Sequence, residues 1–135
     1  MEFVVSGETF RHFQVMSNEL STPKVIVCPS DTRSAATNFT TGFSNTNVSY
    51  FVGVDAEEGK TQMLLVGDRN IVNGKDPANG MLELTTNNPA KWTRAMHNGT
   101  GNIALADGSV QHVTTPGLQK LIEHTGVATN RISLP

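Results

Sequence analysis

The sequence predicts an α+β domain: an antiparallel β-sheet with a helix near its N-terminus and a short helix near its C-terminus. Three observations carry this reading. Short apolar runs rich in Val, Ile, Leu, Phe and Tyr alternate with turn residues through the middle of the chain. Two β-like runs flank Asp107-Gly108, a strong short-range hairpin signal. Helical spacing and punctuation stand at the two ends. At 135 residues the chain is read as a single domain, 1–135, long enough to bury a core.

The first helix is expected from about Gly7 to Leu20, with Ser6 as N-cap and Phe10, Phe13, Met16 and Leu20 on one apolar face. Pro23 stops it. "KVIVC" reads as a short, fully apolar strand and "PSD" as a turn. The polar, aperiodic stretch over residues 32–47 reads as a surface loop. "VSYFVGV" and "QMLLVGD" stand on either side of the acidic tip "DAEEGK" and read as a hairpin with one buried face. After a breaker-rich loop, "MLELT" is a further short strand, and the stretch before Gly101 is irregular again.

With Asp107-Gly108 as a two-residue type I′ loop, Leu105 faces Val110, Ala104 faces Gln111, Ile103 faces His112 and Asn102 faces Val113. The last helix is the best-punctuated element. Thr115 is its expected N-cap, Pro116 its first residue, and Gly126 its stop, with Leu118, Leu121 and Ile122 as the buried stripe. "NRISLP" follows as a short strand or extended tail.

Composition narrows the function. Hydrophobic residues make up 37% and charged residues 16%, so polarity is carried by Asn, Thr and Ser, which suits a β-rich, loop-rich chain. A net charge of −2 offers no basic footprint and argues against nucleic acid as a partner. Cys28 is the single cysteine, which excludes an internal disulfide and sets aside CxxC redox and cysteine-based zinc sites. No stretch approaches the roughly 20 apolar residues of a membrane span.

Candidate chemistry is sparse. His97 and Asp107 invite comparison with an acid–base pair, but an extended run separates them and Asp107 already has a role in the turn. His97 alone has no ligand partner at a recognisable spacing and reads as a brace for loop carbonyls. Asp55, Glu57 and Glu58 offer oxygen to a hard cation such as calcium without the glycine or distal glutamate of a helix–loop–helix calcium loop. Asp68-Arg69 reads as a strand end with a local ion pair. No nucleophile elbow, zinc-protease motif or phosphate-binding loop is present, and nothing points to an enzyme.

His97, nine residues, and then Asp107-Gly108 resemble the H-x9-DG signature of the prepilin-type processing-associated domain of type IV pilin-like proteins. Cys28-Pro29-Ser30-Asp31 resembles the Cys-Pro-Ser-Asp segment nearer the start of such proteins, and "SYFVGVD" and "LLVGDRN" resemble their middle strands. The likeness runs from about Glu8 to Pro135. It implies a pilin-like head, the structural subunit of a type II secretion pseudopilus or type IV pilin-like filament. The partners would be other pilin-like subunits and the secretion machinery.

The implied location is the periplasm or cell envelope of a Gram-negative-type bacterium, with the inner membrane reached only through an apolar N-terminal helix that this stretch lacks. In that reading Cys28, Pro29, Asp31, His97, Asp107 and Gly108 are structural motif residues. No cofactor is expected beyond the calcium ion that such heads often use, for which Asp55, Glu57, Glu58, Asp68 and Asp107 are the available donors. The alternative is a cell-envelope solute- or carbohydrate-binding module, with Trp92, His97 and Asn98 as a ligand platform.

Overall fold

The computed structural model describes residues 7–135. Its strands are β1 (Tyr50–Gly53), β2 (Leu64–Asp68), β3 (Ile71–Val72), β4 (Met81–Leu84), β5 (Lys91–Trp92), β6 (Thr100–Leu105), β7 (Val110–Thr114) and β8 (Asn130–Ser133). Six of them form one antiparallel sheet in the order β4-β8-β1-β2-β6-β7, and β3 pairs with β5 in a small ribbon. The helices are α1 (Phe10–Gln14), α2 (Ser17–Leu20) and α3 (Thr115–His124). The α+β class and the antiparallel sheet agree with the sequence reading. No helix among the described residues is long and apolar enough to cross a membrane.

Both faces of the sheet are covered, each by its own core. On one face Phe51, Ile103, Leu105 and Ile132 pack with Leu118, Leu121 and Ile122 of α3 and with Trp92. On the other, Val52 packs with Phe13, Ile26, Phe39, Phe43 and Val48, bordered by Tyr50 and Val66. The second core explains why the polar stretch over residues 32–47 is more than a surface loop. Its Phe39 and Phe43 are buried, with rings edge-on 5.3 Å apart, and they close over β1, so that strand is buried on two faces instead of the one expected.

Several local expectations are corrected. The N-terminal helix is two short pieces, broken at Val15 and Met16. Its expected cap, Ser6, lies outside the described residues. "KVIVC" is no strand: Pro23–Ile26 form a 3-10 turn, because Thr22 accepts from the Lys24 amide and Pro23 presets the first helical residue. Thr114 caps α3 in place of Thr115, whose hydroxyl instead accepts from the Trp92 amide at 3.1 Å. Of the two readings of "NRISLP" the short strand holds: β8 is a buried internal strand between β4 and β1.

The largest correction concerns register. Ala104 pairs with Val110, Ile103 with Gln111 and Asn102 with His112, one residue away from the expected alignment. The Leu105 amide donates to Ser109 O and the Gly108 amide to Leu105 O, both at 2.9 Å, which closes a three-residue loop over Ala106, Asp107 and Gly108. Only Gly108 has positive φ, at 86°, so this is a type I turn followed by a G1 bulge and not a type I′ turn. Asp107 fixes the choice by accepting from the Ser109 amide and hydroxyl at 2.8 and 2.6 Å. The extra residue moves His112 to the face of the sheet that carries Asn102.

A Cβ at Gly108 would meet nothing within 4 Å, so only backbone strain opposes a side chain there. Gly108→Val is therefore expected to cost about 1–2 kcal/mol, measured as a shift in the urea midpoint. An unchanged midpoint would contradict the left-handed assignment.

Candidate functional site

On the second face, the Phe-rich layer stops short of β6 and β7. Where it stops, Asp68, Asn102, Ala104 and Val110 line a shallow cleft of about 330 Å³ together with Cys28, Tyr50, Val66, Gly67 and His97. Each polar residue is placed by a separate element. Asp68 is the last residue of β2, just past the end of the β2–β6 ladder. Its carboxylate takes over the freed donors, accepting from the Asn102 amide at 2.7 Å and from Asn102 Nδ2 at 3.0 Å. Cys28 follows the 3-10 turn, and its amide donates to Ser49 Oγ at 2.9 Å.

His97 is delivered by a tightly folded loop. Met96, Asn98 and Gly99 all have positive φ, which costs roughly 1 kcal/mol or more at each of the two non-glycine positions. The loop is tied down from several sides. Gly99 N donates to Thr93 O, Thr100 Oγ1 to His97 O, and Asn70 Nδ2 to the carbonyls of Thr93 and Thr100.

The product is a three-residue cluster. His97 Nε2 stands 3.5 Å from Cys28 Sγ and 3.3 Å from an Asp68 carboxylate oxygen. Cys28 and Asp68 are buried, and His97 is partly exposed to the cleft. His112 extends the network through Asn102, with Nδ1 at 2.9 Å from Asn102 Oδ1. Tyr50 lies alongside. Burial, followed by the negative field of Cys28, Asp68 and Asp31, raises its phenol above the ordinary range.

Next to this cluster lies a second polar assembly. Asp31 receives a two-pronged grip from Arg69, at 2.7 Å from Nε and 2.5 Å from Nη2. Arg33 donates to the main-chain oxygens of Asn45, Val48 and Pro135, and so ties three distant segments together. Asp68-Arg69 is thus no local ion pair: the two adjacent side chains serve different partners.

The remaining sequence candidates are dispersed. Asp107 makes only the turn contacts described above and does not meet His97. Asp55 is held by Arg131, which donates to it from both its main chain and its guanidinium. Burial opposes ionisation of Asp55, yet these bonds keep its carboxyl below the usual value. Glu57 faces Lys60 at 3.3 Å and Glu58 is exposed, and among the described residues no group of three ligand side chains gathers at the acidic tip. Trp92 is 5% exposed and its ring lies flat on Gly101, where a Cβ would come within 2.5 Å of it. Burial in the α3-side core removes the aromatic platform expected of Trp92, His97 and Asn98.

Comparison of the chain with family models, curated proteins and solved structures gave no match. The functional reading therefore rests on the residues themselves.

The sequence singles out Cys28 and His97 as motif residues and Asp68 as an oxygen donor, but it does not join the three. Asp68 carried one usable signal: a carboxylate that directly follows the apolar run "LLVG" is placed where the sheet buries it.

Proposed function

We propose that this chain is the globular head of a pilin-like subunit, a structural protein and not an enzyme, acting by protein–protein contacts in a type II secretion pseudopilus or type IV pilin-like filament at the bacterial cell envelope. One observation carries the reading. The two signature segments, far apart in sequence, meet at one corner of the sheet, where Cys28 touches His97 and Asp31 grips Arg69 beside them. Asp107 and Gly108 close the hairpin that leads away from that corner.

These contacts hold separate chain segments together, as expected of a head that presents loops from a fixed frame. The loops around 32–47 and 70–80 are the surfaces it offers to neighbouring subunits or cargo. Burial of Trp92 leaves the binding-module reading without its aromatic platform.

The gene upstream of the Met1 codon provides the test. A short basic leader, a prepilin-peptidase junction and an in-frame apolar run of about 20 residues are expected. An in-frame stop codon directly upstream of a functional start at Met1 would overturn the filament role.

A further inference from the structure

We propose that Cys28 Sγ, Asp68 and His97 Nε2 form a three-ligand site for a borderline-soft divalent cation of the zinc class, with a fourth position open to the cleft. The proposal does not depend on the filament reading. It starts from three ligand atoms that all lie within 4.8 Å of one another, supplied by three separate segments of chain.

Two of the three spacings, those to His97 Nε2, match a coordination shell, and the third, between Cys28 Sγ and the Asp68 oxygen, is within 4.8 Å. Zinc bonds to sulfur at about 2.3 Å and to imidazole nitrogen or carboxylate oxygen at about 2.0–2.1 Å, so tetrahedral ligands stand about 3.5 Å apart for sulfur and nitrogen and about 3.3 Å for nitrogen and oxygen. The observed separations are 3.5 Å and 3.3 Å.

Hydrogen bonding alone accounts poorly for the same atoms. A single ring nitrogen faces both the thiol and the carboxylate, and one imidazole nitrogen carries at most one proton. A proton donated to Asp68 cannot also serve Cys28 at full strength, whereas a cation at the centre serves all three. The arrangement is also not a nucleophile–base–acid relay, which places the acid on the opposite ring nitrogen from the nucleophile.

Charge and chemistry point the same way. Asp68 is 1% exposed, and among the described residues no lysine or arginine forms a salt bridge with it or with Cys28. A thiolate with an imidazole and one carboxylate suits zinc and its neighbours and is a poor set for calcium or magnesium, which prefer oxygen shells. Around the ligands stands the support that metal sites use. Asn102 donates twice to the Asp68 carboxylate and is itself bonded to His112, and Ser49 Oγ holds the Cys28 amide. The exclusion drawn from the cysteine count applies to sites with several thiolates and overlooks a mixed one.

Cobalt(II) titration of reduced, chelator-stripped protein tests this. We expect about one equivalent to bind with tetrahedral visible bands and a near-ultraviolet thiolate-to-cobalt charge-transfer band, which only Cys28 can supply. Zinc(II) should bleach both, and calcium(II) should not. Cys28→Ser and His97→Ala should weaken binding by more than about a hundredfold, and Asn102→Ala by about 10–100-fold as an outer-shell change. Far-ultraviolet circular dichroism establishes that each variant is folded. Should Cys28→Ser fail to fold, the wild-type spectrum decides by itself. Cobalt bound without the charge-transfer band, equal binding by folded Cys28→Ser, or no binding by the folded wild type would each overturn the site.

Discussion

Replacing Gly53 by alanine is expected to destabilise the domain by about 3 kcal/mol, because an added Cβ meets backbone more closely there than at any other described glycine. Gly53 ends β1 opposite the point where β2 carries an irregularity between Leu64 and Val66. That irregularity turns the Leu64 carbonyl towards Gly53. An added Cβ would land on its oxygen and 2.7 Å from its carbon. These atoms are backbone in the middle of the sheet, so relief requires β2 to move, and β2 is held by β1 and β6 together. Urea denaturation monitored by circular dichroism gives the measurement. A loss below about 1 kcal/mol would show that the bulge yields easily and that β1 and β2 are less tightly coupled than described. The contrast with Gly108, where a Cβ meets only open space, separates steric exclusion from backbone strain.

Asp31→Ala comes second, at roughly 3–4 kcal/mol. The Asp31 side chain is fully buried and Arg69 is largely so, and removing the acid leaves the Arg69 guanidinium without its partner. Arg33 makes matters worse. Its own pKa is lowered first by burial and next by the charge of Arg69, with Asp31 working in the opposite sense. Without Asp31 the two cations face each other uncompensated.

The same acid sets a pH dependence. Burial opposes its ionisation, but the Arg69 fork, Ser49, the Arg69 charge and the Thr32 amide outweigh that, and its pKa lies at about 2. A folded-state value below that of the free carboxylate means that stability is fully present above about pH 4 and is lost as pH falls towards 2. In denaturation curves taken across that window, the wild type should lose stability with acid and Asp31→Ala should show a flatter profile. Parallel profiles would assign the acid sensitivity to other carboxylates.

Much of this architecture was legible in the sequence because it is written locally. Alternation and turn residues marked β1, β2, β4 and β6, and the Thr-Pro start and Gly126 stop marked α3. What escaped depended on distant partners. Phe39 and Phe43 sit in a polar stretch, and only the uncovered face of β1 gives them a core to join. The hairpin register turns on a choice between two loops that both end in Gly108 at positive φ, and the Asp107–Ser109 bonds select the three-residue loop over the expected two-residue one.

The site was the least legible part. His97 was visible as a motif residue, but no spacing rule connects it to Cys28 and Asp68, because the fold brings them together only when three chain segments converge. The calcium candidates on the acidic tip are the complementary case. They are neighbours in sequence, and Arg131 and Lys60 had already engaged two of them.

The position of β8 has a consequence for biosynthesis. Residues 130–133 fill the gap between β4 and β1, pairing with Met81–Leu84 on one side and Val52 and Gly53 on the other. A ribosome that has released everything up to Gly126 has therefore produced β4 and the β1-β2-β6-β7 block with nothing to join them. Two open edges wait for β8, a state that favours mispairing with other chains. Completion of the sheet therefore waits until these few residues emerge, and a nascent chain stalled before Asn130 is the form most exposed to mispairing.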